Sequence, residues 1–229
     1  MADVPGSTEL AQRLAAVQAR IADAARAAGR DPGELTTIVV TKFHPVPLLE
    51  QLFELGVRDF GENRHQEAQQ KAAELARLHP HWHFIGQLQS KKARQVRAYA
   101  ASIHSVDRLA LVPLLDTGDR ERDVFVQINL TDDPDRGGVA PAELLPLVDA
   151  VAAAASLRLR GVMAVAPLGA DPRAAFARLR GYSEQVRTAV PTATAISAGM
   201  SHDFVEAIAE GATHLRIGSA ITGNRPPRV

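Results

Sequence analysis

The chain has 229 residues, within the range of one α/β barrel domain, and 46% of them are hydrophobic, which suffices for one sizeable core. Acidic and basic residues balance at 26 each, so no net charge favours binding to nucleic acid or an acidic membrane. The absence of cysteine excludes disulfides and thiol chemistry, and the lack of a membrane-length apolar run or a secretory signal pattern favours a cytoplasmic protein.

Segments typical of helices and strands alternate along the chain. A helix comes first, with Leu10, Leu14, Val17 and Ile21 at helical spacing. The strands expected after it are 37–41, 57–60, 82–85, 102–106, 123–130, 160–165, 194–197 and 214–218. The helices expected between them are 46–55, 66–78, 90–100, 108–115, 141–155, 172–189 and 203–210.

This alternation predicts an α/β fold with a parallel sheet, and eight units favour closure into a TIM-type (β/α)8 barrel. We expect residues 1–229 to form this single domain, with the first helix as an addition to the barrel. An open, doubly wound sheet is the alternative. Residues 220–229 are rich in Gly and Pro and predict no long eighth helix, so we expect the first helix to cover that part of the barrel.

Lysine is scarce, with only four among 26 basic residues, and Lys42 ends a hydrophobic strand. The others, Lys71, Lys91 and Lys92, lie in polar helical segments. An amine at the edge of an apolar interior loses solvation of its charged form, so the pKa of Lys42 should fall. Such an amine is a nucleophile suited to a Schiff base with a carbonyl compound. The alternative is a lysine that merely extends to water.

Active sites of such barrels lie at the carboxyl ends of the strands. The residues expected there are Lys42, Glu62, Asn63, His83, Ser105, Asp107, Asn129, Met163, Ser197, Arg216 and Ser219. Because a lysine, an arginine and several small hydrogen-bonding groups converge, we expect a polar ligand pocket.

The loops after strands seven and eight favour a phosphate. They carry small residues at Ser197, Ser201, Gly218 and Ser219, and a helix follows directly. In this fold, these two loops and a helix N-terminus recurrently bind phosphate through backbone N–H groups. Tight turns with capping serines are the alternative reading.

A phosphate site opposite a nucleophilic lysine indicates pyridoxal 5′-phosphate held as an imine. Arg216 would then face the pyridine nitrogen and keep it unprotonated, which makes the cofactor a weaker electron sink. Pairing of Arg216 with Glu206 or Glu210 is the alternative. A barrel aldolase with Lys42 as its Schiff-base lysine is another reading of the whole site. A metal at His79, His81 and His83 is disfavoured, because carboxylates at ligand spacing are lacking.

Several motifs resemble the pyridoxal phosphate homeostasis proteins (the YggS/PROSC group), relatives of the alanine racemase barrel domain. They cover the chain from Leu35 onward, in order. The motifs are Val40-Thr-Lys42, Phe60-Gly-Glu-Asn63, Trp82-His-Phe-Ile-Gly-Gln-Leu-Gln89, Ser105-Val-Asp107, Leu159-Arg-Gly-Val-Met163, Ser197-Ala-Gly-Met-Ser201 and Arg216-Ile-Gly-Ser-Ala-Ile221.

The resemblance implies a barrel of the pyridoxal-phosphate fold type III kind that holds its cofactor on Lys42. It implies phosphate contacts at Ser201, Gly218 and Ser219, and it implies ring contacts at Asn63, Met163, Ser197 and Arg216. It further implies a carrier or regulator in vitamin B6 homeostasis without strong catalysis, with apo enzymes that use the cofactor as recipients. We expect a monomer that binds neither nucleic acid nor a membrane.

Some positions depart from the family pattern, and two of them replace lysines. His44 and Arg136 stand where relatives often carry lysines, which bears on cofactor transfer. The enzyme alternative is a weak amino-acid racemase or transaminase. A racemase needs two acid–base groups on opposite faces of the substrate, and the only tyrosines, Tyr99 and Tyr182, lie in helical segments away from the strand ends.

Overall fold

The computed structural model describes residues 7–118, 120–133 and 135–223. In this part of the chain, eight strands close a barrel in sequence order, with every neighbouring pair parallel and β1 paired to β8. The strands are Thr36–Val40 (β1), Asp59–Glu62 (β2), His81–Phe84 (β3), Ser102–Val106 (β4), Arg122–Gln127 (β5), Leu157–Met163 (β6), Ala195–Ser197 (β7) and His214–Ile217 (β8). The predicted (β/α)8 barrel is confirmed, and the open sheet is wrong.

Helices connect the strands on the outside of the barrel. The α-helices are Ser7–Ala27 (α1), Val46–Glu54 (α2), His65–Glu74 (α3), Ala93–Tyr99 (α4), Val112–Leu115 (α5), Leu144–Ala152 (α6), Pro172–Ala189 (α7), Phe204–Ala209 (α8) and Ser219–Thr222 (α9). Short 3-10 segments are Pro32–Glu34, Ala76–Leu78, Ser90–Lys92, Leu109–Leu111 and Pro141–Glu143. The main apolar core lies between the outer face of the barrel strands and the surrounding helices.

The second strand begins later than the expected range 57–60. Gly56 has a φ of 93° and ends α2 in a Schellman motif, in which Val57 N–H donates to the Leu52 carbonyl over 3.0 Å. Val57 therefore belongs to the helix end, and β2 starts only at Asp59. This difference moves the strand end to Glu62, directly before Asn63.

Other boundaries differ where turns replace regular structure. The expected helix 66–78 divides into α3 and a 3-10 turn that ends at Leu78 and is capped by His79, whose φ is 49°. The expected helix 108–115 becomes a 3-10 turn followed by the single turn of α5. The fifth strand ends at Gln127, and Ile128 forms only an isolated bridge with Val139.

Helix α1 packs beside α8 and α9. Arg13 Nε donates to the Ile221 carbonyl over 2.8 Å, and Arg30 donates to the carbonyls of Ile208 and Ala212. The expected cover of this part of the barrel by the first helix is therefore present. Up to Gly223 the last strand is followed only by the four-residue α9; residues 224–229 of that expectation lie outside the described residues. No helix of the described chain is long and apolar enough to cross a membrane.

Rings fill the barrel interior. Phe125 packs with Met163 and Ala195, and its ring stacks on His104 at 4.2 Å between centroids. His214 lies edge-on to Phe125, at 5.1 Å. The interior thus contains imidazoles where barrels ordinarily hold branched aliphatic side chains.

Replacement of His214 should flatten the acid side of the stability curve. Burial first, and then the charges of His83 and Arg160, lower the pKa of His214 to about 4, against opposing effects of Asp59 and Asp123. The unfolded chain thus binds more protons below about pH 6.5, so stability falls as the pH drops from there to about 4. The loss should be at most about 3 kcal/mol.

The measurement is urea unfolding of wild type and His214→Phe from pH 7.5 to 4. The variant should lose stability less steeply with acid than wild type. Equal slopes in the two proteins would contradict this prediction.

Candidate functional site

A strained turn carries Lys42. β1 ends at Val40, and the next three residues form a turn that the His44 N–H closes by donating to the Thr41 carbonyl over 3.1 Å. Phe43 has a φ of 69°, in the left-handed region that residues with a Cβ rarely adopt. Such a conformation persists only where the surroundings hold it. Lys42 is half-buried between these residues.

A buried ion cluster holds the turn on both sides of its lysine. Lys71 Nζ donates to the Thr41 carbonyl (2.8 Å) and to Oε1 of Glu62 and of Glu67 (2.7 Å each). Thr41 Oγ1 donates to Glu62 Oε1 over 2.7 Å, and Phe43 N–H donates to Glu67 Oε1 over 2.5 Å. We call these five residues the Lys71 cluster. Lys71 lies on the polar helix α3 as expected, but its side chain is only 5% exposed.

The cluster contains two carboxylates for one ammonium. Burial raises the pKa of the Glu62 carboxyl, although the charge and hydrogen bond of Lys71 and the bond from Thr41 oppose the rise. Glu62 Oε2 is buried and has no hydrogen-bond partner among the described residues. Lys71 is therefore the group that most strongly opposes the rise in the pKa of Glu62.

A cavity of about 270 Å³ opens at the carboxyl ends of the strands, beside the Lys42 turn. Its lining residues come from the ends or following loops of β1, β2, β3, β6, β7 and β8. They are Val40, Lys42, His44, Asn63, Ile85, Val165, Met200, Ser201, His202, Arg216, Gly218, Ser219, Thr222 and Gly223. One amine, one guanidinium and several hydroxyl and amide groups therefore share one small space.

Arg216 is a buried residue in the lining of this cavity. Its guanidinium donates from Nη1 to Ser197 Oγ and from Nη2 to the Ala164 carbonyl, both over 2.8 Å. Burial lowers its pKa to about 10, so it stays protonated at neutral pH. The alternative pairing with Glu210 is wrong, because that carboxylate pairs with Arg173 and Arg180 on α7.

The loops after β7 and β8 meet at the cavity. Ser201 Oγ accepts a long hydrogen bond of 3.5 Å from the Ala220 N–H. A Cβ on Gly218 would meet only Val40, at 3.6 Å or more, so protein packing does not require glycine there. By contrast, a Cβ on Gly199 would lie 2.8 Å from the Ala207 Cβ. Gly199 is thus needed for helix packing, whereas Gly218 leaves room on the cavity wall.

Comparison with known proteins establishes the family. The alanine racemase N-terminal domain family matches residues 12–226. A pyridoxal phosphate homeostasis protein of Pseudomonas aeruginosa is 42% identical over 223 residues, which are 94% of this chain and 96% of that protein. The chain belongs to the pyridoxal phosphate homeostasis proteins, within the alanine racemase N-terminal domain family.

Two solved structures are similar over nearly the whole chain. PipY of Synechococcus elongatus PCC7942, solved with PLP bound, has a TM-score of 0.82 at 35% identity and covers 93% of this chain and 100% of its own. An unknown protein from Bifidobacterium adolescentis has a TM-score of 0.89 at 28% identity, over 96% and 97% of the two chains. The barrel is therefore that of the pyridoxal phosphate homeostasis proteins.

The cavity brings together six of the eight residues expected from the family pattern. Those that line it are Lys42, Asn63, Ser201, Arg216, Gly218 and Ser219. Met163 and Ser197 do not line it, being only 2% and 0% exposed. Met163 packs against Phe125 inside the barrel, and Ser197 lies behind Arg216 as its hydrogen-bond acceptor.

Other residues expected at the pocket lie elsewhere. His83 is turned into the barrel, where it bonds to Asp59 and His104, and Glu62 belongs to the Lys71 cluster. Asn129 binds the backbone of its own loop, including the Arg136 carbonyl. These side chains are used in holding the structure around the cavity.

Some lining residues were not expected from the sequence. Two of them, Met200 and His202, follow the end of β7. Val165 follows the end of β6, and Ile85 follows the end of β3. His202 could have been found, because it adjoins Ser201 in the small-residue loop. The apolar three carry no chemical signal of their own in the sequence.

Proposed function

We propose that this chain binds pyridoxal 5′-phosphate through a Schiff base to Lys42 and serves as a carrier in vitamin B6 homeostasis, without strong catalysis. Apo enzymes that use the cofactor would be its recipients, and it would act as a monomer. One observation carries the proposal. The Lys42 amine, the Arg216 guanidinium and the small-residue loops of β7 and β8 line the same cavity.

The residues present fit this group. Condensation of Lys42 Nζ with the aldehyde carbon would release water and form the C=N bond. Asn63 Oδ1 is buried and lacks a partner among the described residues, so it is available to a donor on a ligand. The open wall at Gly218 and the hydroxyls of Ser201 and Ser219 suit a phosphate.

Arg216 favours the role of a carrier over that of an enzyme. When bound, the cofactor supplies an electron sink, whose strength depends on protonation of its ring nitrogen. With a pKa of about 10, Arg216 remains a hydrogen-bond donor and gives up no proton at neutral pH. An arginine that faced the ring nitrogen would therefore leave that nitrogen unprotonated and the electron sink weak.

The enzyme alternative, a weak racemase or transaminase, needs a second acid–base group at the cavity. Neither tyrosine lines it: Tyr99 stacks on His65 behind the wall, where burial raises its pKa, and Tyr182 lies in α7. His44 and His202 do line the cavity. These imidazoles are the groups that favour this second candidate.

Equilibrium dialysis against pyridoxal phosphate, followed by assays with a panel of amino acids, tests the proposal. We expect one cofactor bound per chain and turnover far below the roughly 10 s⁻¹ of ordinary enzymes. Release of the bound cofactor to an added apo enzyme would support the carrier role. Absence of binding would refute the proposal, and turnover near 10 s⁻¹ would establish the enzyme alternative.

A further inference from the structure

A chain of hydrogen bonds crosses the barrel interior and ends on Arg216. Asp59 lies at the amino end of β2, and its Oδ1 is 2.9 Å from His83 Nε2. His83 Nδ1 is 3.0 Å from His104 Nε2, and His104 Nδ1 is 2.8 Å from Ser197 Oγ. Ser197 Oγ accepts from Arg216 Nη1 over 2.8 Å. The hydrogen-bond chain therefore joins the amino end of the barrel to the cavity at its carboxyl end.

The two charged ends give this chain a single direction. An ionised Asp59 only accepts, so His83 donates to it from Nε2, and Nδ1 of the neutral ring is then an acceptor. His104 must then donate from Nε2 and accept on Nδ1, and the Ser197 hydroxyl must donate to it. Arg216, which only donates, fits the remaining acceptor site on Ser197 Oγ. When both imidazoles are neutral, every position has one consistent assignment.

The surroundings favour an ionised Asp59 and a neutral His104. Burial raises the pKa of the Asp59 carboxyl, but the hydrogen bonds and charges of His83 and His81 outweigh this and leave it below its ordinary value. Burial, reinforced by the charges of His83, His214 and Arg216, lowers the pKa of His104 well below its ordinary value. His104 is thus neutral at physiological pH, as the direction of the chain requires.

Filling of space alone does not explain these side chains. Barrel interiors are ordinarily packed with branched aliphatic residues, and burial of an aspartate and imidazoles carries a desolvation cost. All four ring nitrogens of His83 and His104 are nevertheless paired, with none left over. Fully paired polar networks give a defined orientation to their members.

We propose that His83 and His104 are positioning residues that fix the Arg216 guanidinium through Ser197. The Ala164 carbonyl holds the other terminal nitrogen, so the two anchors together set the plane of the guanidinium before any ligand enters. Removal of the imidazole link leaves the Ser197 hydroxyl without its acceptor and loosens one anchor. The ligand that Arg216 then faces rests on the proposed function; the orientation of Arg216 does not.

Histidine ring nitrogens of the cofactor-free protein provide the first test. Two-dimensional ¹H–¹⁵N spectra at pH 7.5 should show His83 and His104 neutral, with the proton of each on Nε2. His83→Gln and His104→Phe assign the signals. A proton on Nδ1 of either ring, or a charged His104, would overturn the proposal whatever the protein binds.

Cofactor spectra of His104→Phe provide the second test. The variant keeps a ring to stack on Phe125 but loses both hydrogen bonds. We expect pyridoxal phosphate to bind about tenfold more weakly and its visible absorbance maximum to shift. His214→Phe is the matched control, because it changes another interior imidazole. The hydrogen bond of His214 goes to Thr213 Oγ1, which is not part of the hydrogen-bond chain to Arg216. This control should bind within about twofold of wild type.

Equal spectra and affinities for wild type and both variants would overturn the positioning role. If wild type itself bound no pyridoxal phosphate, the proposed function would fail, and the ring-nitrogen assignment would still decide the orientation of Arg216. The two failures are therefore distinguishable.

Discussion

Lys42→Ala should abolish the visible absorbance that wild-type protein acquires with pyridoxal phosphate. Conjugation of the Schiff base with the pyridine ring produces this absorbance, and it requires an amine at the cavity. Of the four lysines, Lys42 alone lines the cavity; Lys71 Nζ is engaged by three oxygens of the Lys71 cluster. Complete loss of the absorbance is therefore expected, and borohydride should fix the cofactor to wild type but not to Lys42→Ala.

Lys91→Ala is the control, because Lys91 is an exposed residue of the 3-10 segment before α4. It should keep the full absorbance and a borohydride-stable adduct on the peptide that contains Lys42. Circular dichroism should show the same helix content in both variants. An adduct on another peptide, or an unchanged spectrum in Lys42→Ala, would remove Lys42 from its proposed role.

Regular alternation of apolar strands and helices made the barrel predictable, because each strand buried on both faces is a near-continuous apolar run. Boundaries were harder to predict. Valine is a residue type typical of strands, but the Val57 N–H donates a hydrogen bond to the last turn of α2. This hydrogen bond forms because Gly56 adopts a left-handed backbone conformation. The helix end that results prevails over the strand propensity of valine.

The cavity residues were predictable where a strand end coincided with a chemical group, as at Lys42 and Arg216. Burial was not predictable in the same way. Lys71 stands on a polar helix, and its burial arises only because Glu62 at the end of β2 and the Thr41 carbonyl in the turn after β1 approach it. His83 likewise alternates toward the barrel interior, where its partner His104 is 21 residues away. Contacts of this kind require the closed barrel.

Lys71→Met should be among the most destabilising substitutions in this protein. The change keeps much of the side-chain volume but leaves Glu62 and Glu67 facing each other without their common cation. Removing one partner of a buried ion pair costs about 3–5 kcal/mol, a large part of the 5–15 kcal/mol that stabilises a typical domain. Urea unfolding at pH 7.5 should show this loss.

The loss should shrink in mild acid, because the pKa of Glu62 is already raised by burial and rises further without Lys71. Glu62→Gln combined with Lys71→Met should recover part of the stability, since the amide carries no charge to leave unpaired. Exposed Lys91→Met is the control and should change stability by no more than about 0.5 kcal/mol.

The same substitution links stability to the site. The Lys71 cluster holds the residues on both sides of Lys42, and Phe43 keeps its left-handed conformation against steric cost. In Lys71→Met the turn should relax, so pyridoxal phosphate should bind more weakly even under conditions where the variant is fully folded. Equal stability of Lys71→Met and Lys91→Met would show that the cluster does not hold the turn.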